Sequence, residues 1–173
     1  MKIKKIFSLI SILGMTSFIF TNLSYAASSA TVAATVTIQN ISVSVSDGDV
    51  SYGTLATSTS RSTIASEENE MQTATNNGNI TENLNIKGQN TAAWTLSATA
   101  GADQYVHKFC NDTDNDCTTP PTNYTALTTN YQTLDTSVTT SGTADVQLQI
   151  TTPSSSSSFT QQSVDVIVQA VAP

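Results

Sequence analysis

The chain has 173 residues, 38% hydrophobic and 11% charged, with 6 basic against 13 acidic side chains and a net charge of −7. Its 23 Ser and 30 Thr make close to a third of it hydroxyl-bearing. The length suits a single domain. The missing basic footprint argues against binding nucleic acid or an anionic membrane, and regular apolar alternation with little charge argues against disorder.

Residues 1–26 carry Lys2, Lys4 and Lys5, then an apolar stretch from Ile6 to about Phe20, then a polar end with small Ser24 and Ala26. This is the layout of a secretory signal peptide. The apolar run is short for a bilayer span of about 20 residues and is interrupted by Ser8, Ser11 and Thr16. Cleavage after Ala26 predicts one exported domain over residues 27–173, at the cell surface and with no membrane insertion. It leaves Arg61, Lys87 and Lys108 against all 13 acidic residues, a balance of −10.

In the mature chain the recurring signal has period two. Val32, Ala34, Val36 and Ile38 alternate with Ala or Thr, and Ile41, Val43 and Val45 alternate with Ser. Asp47 and Asp49 flank Gly48 in an acidic turn. Residues 67–71 offer one helical turn at most. Asn77-Gly78 predicts a tight turn with positive φ at its centre. Leu84 and Ile86, then Trp94, Leu96 and Ala98, then Val146, Leu148 and Ile150 set against Gln147 and Gln149, then Val164, Val166, Val168 and Ala170 each predict a strand with one buried and one wet face. Eight to ten short strands with frequent turns and no crossover helix predict an all-β fold, an antiparallel immunoglobulin-like β-sandwich. Trp94 is expected in the core, and one face of residues 163–171 with it. Residues 154–158, five serines after Pro153, read as a flexible loop that buries nothing.

Cys110 and Cys117 are expected to pair, as cysteines of an exported chain do, closing a small polar loop. Inside it Asp112, Asp114 and Asp116 occupy alternate positions. That is the spacing at which a curled backbone gathers three carboxylates on a hard cation, so calcium is the one cofactor the residues suggest. Cys117 stands where such a loop wants Gly, and Asn123 where it wants a bidentate Glu, so a solvated acidic turn locked by the disulfide is the other reading. No catalytic constellation is visible: His107 is the only histidine, expected on a strand face with Tyr105 and Phe109, and there is no nucleophile elbow, zinc motif or phosphate loop. Tyr52, Tyr105, Tyr124 and Tyr131 are candidates either for a sugar-stacking face or for core and edge packing.

The segments Tyr52-Gly53-Thr54-Leu55, Thr73-Ala74-Thr75-Asn76-Asn77-Gly78-Asn79, Leu84-Asn85-Ile86-Lys87-Gly88 and Trp94-Thr95-Leu96 together resemble the layout of small exported bacterial surface β-sandwich proteins. Trp94-Thr95-Leu96 is also similar to the tripeptide of WxL cell-wall-binding domains, although the second such motif those domains carry near the C-terminus is missing. The WxL resemblance implies non-covalent attachment to peptidoglycan. Taken with the missing catalytic constellation, the expected function is a secreted, non-enzymatic structural or adhesion protein of the cell surface, with a carbohydrate- or peptidoglycan-binding module as the alternative. Its expected partners are envelope components or copies of itself, the latter through Thr-rich strand edges of low charge.

Overall fold

The computed structural model describes residues 28–173, so the expected signal peptide lies outside the described residues. The chain divides into residues Met1–Val36 and a compact unit Thr37–Pro173. Residues 28–36 are exposed and form no strand. The alternation at Val32, Ala34, Val36 and Ile38 therefore produces no strand, because a strand forms only when paired and these residues pair with none of the strands of the two sheets. Val32, Val36 and Ile38 remain 92%, 91% and 85% exposed.

The unit Thr37–Pro173 is all-β, with two sheets and no helix. Its strands are β1 (Val43–Val45), β2 (Ser60–Ser62), β3 (Gln72–Asn76), β4 (Glu82–Lys87), β5 (Thr95–Leu96), β6 (Gln104–Asn111), β7 (Thr125–Ala126), β8 (Gln132–Val138), β9 (Thr143–Thr151) and β10 (Ile167–Val171). The larger sheet runs β1-β3-β9-β6-β5, with β2 also on β9 and β7 also on β6. The smaller is β10-β4-β8. All pairings are antiparallel except β5 with β6, which is parallel through Thr95 opposite Gln104 and Leu96 opposite Tyr105.

Strand β9 holds the larger sheet together. One edge pairs with β6, placing His107 opposite Ile150 and Phe109 opposite Leu148. The other edge pairs first with β3, Val146 opposite Gln72, and then with β2, Gln149 opposite Ser62. Strands β2 and β3 are thus one strand interrupted by residues 63–71. Glu67 accepts hydrogen bonds from the Ser62 backbone amide and hydroxyl, and Arg61 meets Glu68 at 2.5 Å. The expected turn at residues 67–71 is a hydrogen-bonded bend starting at Ile64, whose carbonyl accepts from the amides of Glu67 and Asn69.

Period-two alternation builds one core between the sheets. Ala74, Ala144, Val146, Leu148 and Phe109 face Leu84, Ile86, Leu134 and Val138 from the other sheet. Burying such side chains contributes about 1.5–3 kcal/mol each before entropy is counted. Gln147 and Gln149, expected on the wet face, are buried as well. The interruption after β2 covers that face, and the Thr63 hydroxyl donates to Gln147 at 2.7 Å.

Three further expectations are corrected. Trp94 is only half-buried, its indole donating to Ser156; the fully buried aromatic is Tyr105, whose hydroxyl donates to the Gln89 carbonyl at 2.5 Å. The serine run is tied down rather than loose: Ser155 bridges Ala102, the Ser157 amide donates to Asp103, and Pro153 beside it is fully buried. The last strand begins at Ile167 and leaves residues 163–166 outside any sheet.

Neither Asn77 nor Gly78 takes positive φ; among the described residues the left-handed glycines are Gly48 and Gly53. Gly78 is needed for close approach instead, since a Cβ there would lie 2.1 Å from Glu82 Oε1 and 2.5 Å from the Asn40 carbonyl. Glu82 is fully buried and accepts from the Ser42 amide at 2.9 Å, so this contact fixes the chain where it enters β1. Gly78→Ala is expected to lower unfolding stability by about 1–3 kcal/mol in urea titrations, as overpacking does; an unchanged midpoint would show that the turn yields freely.

Candidate functional site

Strands β1 and β10 end their respective sheets and lie against each other. After Val45 and before Ile167 the two edges part, and residues 46–57 and 159–166 join neither sheet. Between them lies a groove of about 1010 Å³. Ile86 of β4, His107 of β6 and Val146, Leu148 and Ile150 of β9 line it, together with Tyr52, Val164 and Val166. Trp94 and the 90% exposed Phe159 are also at its surface. Neither residues 49–57 nor residues 159–166 make any backbone–backbone hydrogen bond among the described residues. The volume is at the top of the range for small-molecule sites, about 300–1,000 Å³. Unpaired main chain beside apolar side chains is what a sheet edge offers to an added strand.

The acidic turn at Asp47 and Asp49 sits at the start of this open stretch. Asp47 and Gly48 have φ of 62° and 73°, and Gln72 clamps the turn by accepting from the Gly48 amide and donating to the Asp49 carbonyl. The turn therefore serves to swing the chain off β1.

A row of rings runs beneath the groove. Trp94 and Tyr105 have centroids 6.2 Å apart, Tyr105 and His107 6.3 Å, and His107 and Tyr52 5.8 Å in an edge-on arrangement. The Tyr52 hydroxyl and His107 Nε2 are 3.1 Å apart, while Nδ1 has no partner. Protonation would put a second N–H on a buried ring with one acceptor. Burial accordingly pushes the His107 pKa down to about 4 and the Tyr52 phenol well up. His107 thus shares a face with Tyr105, as alternation along β6 requires, and is a neutral packing residue.

Cys110 and Cys117 are joined in a disulfide with Cα atoms 5.9 Å apart. Within the loop each carboxylate has its own partners. Asp112 accepts from the Cys117 amide and from Gln147, Asp114 from Asn111, and Asp116 from the Thr118 amide and hydroxyl. Those bonds from Thr118, the hydroxyl first, hold the Asp116 carboxyl below the usual carboxylate range. Among the described residues no group of three or more His, Cys, Asp or Glu is placed to hold a metal ion. The three aspartates act as local caps: they satisfy amides of a loop that the disulfide closes.

The tyrosines do not assemble into a platform. Tyr105 is buried, Tyr52 is half-buried against His107, and Tyr124 donates to the Cys117 carbonyl at 3.1 Å. Tyr131 is 41% exposed, with the Lys87 ammonium 4.6 Å from its ring centroid. Sequence reasoning missed the groove. Its signal was present in the strand pattern of Val164 and Val166, which pairs with no strand.

No known protein family, curated protein or solved structure matches the chain.

Two outcomes follow from the buried imidazole and the closed loop. A histidine whose folded pKa lies below its unfolded 6.5 contributes stability that is fully present above pH 6.5 and is lost as pH falls toward 4. The fall is on the order of 3 kcal/mol. His107→Gln should flatten urea stability across that window, and an equally steep fall in the variant would assign the dependence to carboxylates. For the loop, replacing both cysteines by serine should cost about 2–3 kcal/mol, the closure entropy of so short a ring. Melting curves of the wild type in calcium and in EDTA should coincide, and a calcium-dependent rise would show the aspartates re-forming around a cation.

Proposed function

We propose that the protein is an exported, non-enzymatic structural or adhesion module of the cell surface, an immunoglobulin-like β-sandwich that works by binding along its open edge. The groove between residues 46–57 and 159–166 carries this reading. Its floor is apolar, formed by Ile86, Val146, Leu148 and Ile150 with Ser, Thr and Gln around them, and residues 49–57 and 159–166 of its walls make no backbone–backbone hydrogen bond, which suits association along an edge. Three observations support it further. The disulfide fits an oxidising compartment. No helix among the described residues is long and apolar enough to cross a membrane. The chain is rich in Ser and Thr and low in basic charge. The four tyrosines give a sugar-stacking platform no support, since Tyr131 alone of them is exposed and Lys87 lies over its ring.

Fractionation of the native organism, with immunogold imaging of intact cells, tests the reading. The protein is expected outside the cytoplasmic membrane and on the envelope, shortened by its first 26 residues. Recovery of the full-length chain in the cytosol would overturn it.

A further inference from the structure

Resting on that surface reading, we infer that the groove takes residues 30–38 of a second copy as an added β-strand, so that copies join head to tail. The segment and the groove are complementary in three respects.

First, the side-chain pattern fits. Val32, Ala34, Val36 and Ile38 fall on one face at strand spacing, and the groove meets an added strand with Leu148, Ile150 and Val166. Leaving that face in water is costly: Val32 and Val36 are both more than 90% exposed.

Second, the main chain fits. Residues 28–39 make no backbone–backbone hydrogen bond among the described residues, and neither do residues 49–57 or 159–166. Nine residues of strand span about 30 Å, and the eight residues 159–166 offer about 26 Å if straightened as a strand. Insertion would extend the β10-β4-β8 sheet through the free edge of the residues that lead into β10 and would give both partners the ladder they lack.

Third, the points of exit and entry lie at opposite ends of β1. The Asn79 side chain donates to the Ile38 carbonyl and accepts from the Asn40 amide, and the Asn40 carbonyl accepts from the Asn79 amide. This clamp sits at the turn after β3, beside Val43, which pairs with Asn76. The groove opens past Val45, at the other end of β1. A contact that joins one end of a molecule to the opposite end of the next is heterologous and, unless it closes a ring, propagates as a linear filament.

The test uses the exported protein purified from cells, examined by light scattering and electron microscopy. Wild type is expected to form linear oligomers. Val32→Asp with Val36→Asp should remain monomeric with an unchanged melting curve, because both side chains lie outside the folded core. A synthetic peptide of residues 28–40 should bind that monomer at one per chain and raise its melting temperature, while a shuffled peptide should not. Val36→Cys with Val164→Cys should yield a ladder of disulfide-linked chains on non-reducing gels. Undiminished oligomers in the aspartate variant, a peptide that does not bind, or cross-links confined within single chains would each overturn the inference. These failures are distinct from failure of the surface reading: a chain found on the envelope but monomeric loses the added strand alone, whereas a cytosolic chain loses the surface role whatever its oligomeric state.

Discussion

Strand β9 must satisfy its main chain along both edges while both of its faces are covered, and most of the fold is arranged around that demand. Strand β6 supplies one edge along residues 146–151, and β3 and β2 in succession supply the other. One face of β9 packs Ala144, Val146 and Leu148 against the smaller sheet. On the opposite face Gln147 is buried under the excursion between β2 and β3, where Thr63 and Asp112 answer its amide. Without those partners a buried glutamine would cost more than it contributes. The interrupted second strand and the disulfide loop are thus joined through one side chain.

The sandwich closes unevenly. Where β1 and β10 meet, the two sheets seal the core; past Val45 they separate, and the same row of β9 side chains continues into the groove as Leu148 and Ile150. The left-handed turn at Asp47 and Gly48 causes the parting by steering the chain off β1, and Gln72 fixes it. An edge left open in this way has amides and carbonyls that no ladder satisfies, and side chains answer only some of them, as Glu70 does the Ser51 amide and Gln162 the Thr160 carbonyl. The row of rings from Trp94 to Tyr52 packs along the base of the groove, with an uncharged His107 inside it.

Much of the architecture was legible from alternation. The cores of β4, β9 and β10 follow the apolar positions Leu84, Ile86, Val146, Leu148, Val168 and Ala170, and Cys110 and Cys117 pair. Alternation failed where another segment changed what a face meets. Gln147 and Gln149 have the pattern of a wet face and are covered by a distant excursion of the chain. Trp94 looks like a core residue, yet the sheet turns it toward Ser156 and gives the interior to Tyr105. Five consecutive serines suggest looseness, but the Ser154 amide donates to the Gly101 carbonyl, the Ser155 carbonyl accepts from the Asp103 amide, the Ser157 amide donates to the Asp103 carboxylate and the Ser156 hydroxyl accepts from Trp94. At Asn77-Gly78 the dipeptide signalled a turn correctly while the reason for the glycine differed, because the proximity of Glu82 depends on a contact that no local pattern records.

The sequence by itself determined that the chain is all-β, which positions alternate toward a core, and that two cysteines close one acidic loop. Those properties depend on side-chain periodicity and short spacings, which are local. Only the tertiary structure decided that Asp112, Asp114 and Asp116 turn to separate partners, that His107 is sealed and neutral, and that the sheets part into a groove. Each of these depends on segments brought together from far along the chain. The run from Val32 to Ile38 shows the boundary between the two: its pattern specifies a strand, but a strand needs an edge to pair with, and within the described chain these residues pair with none.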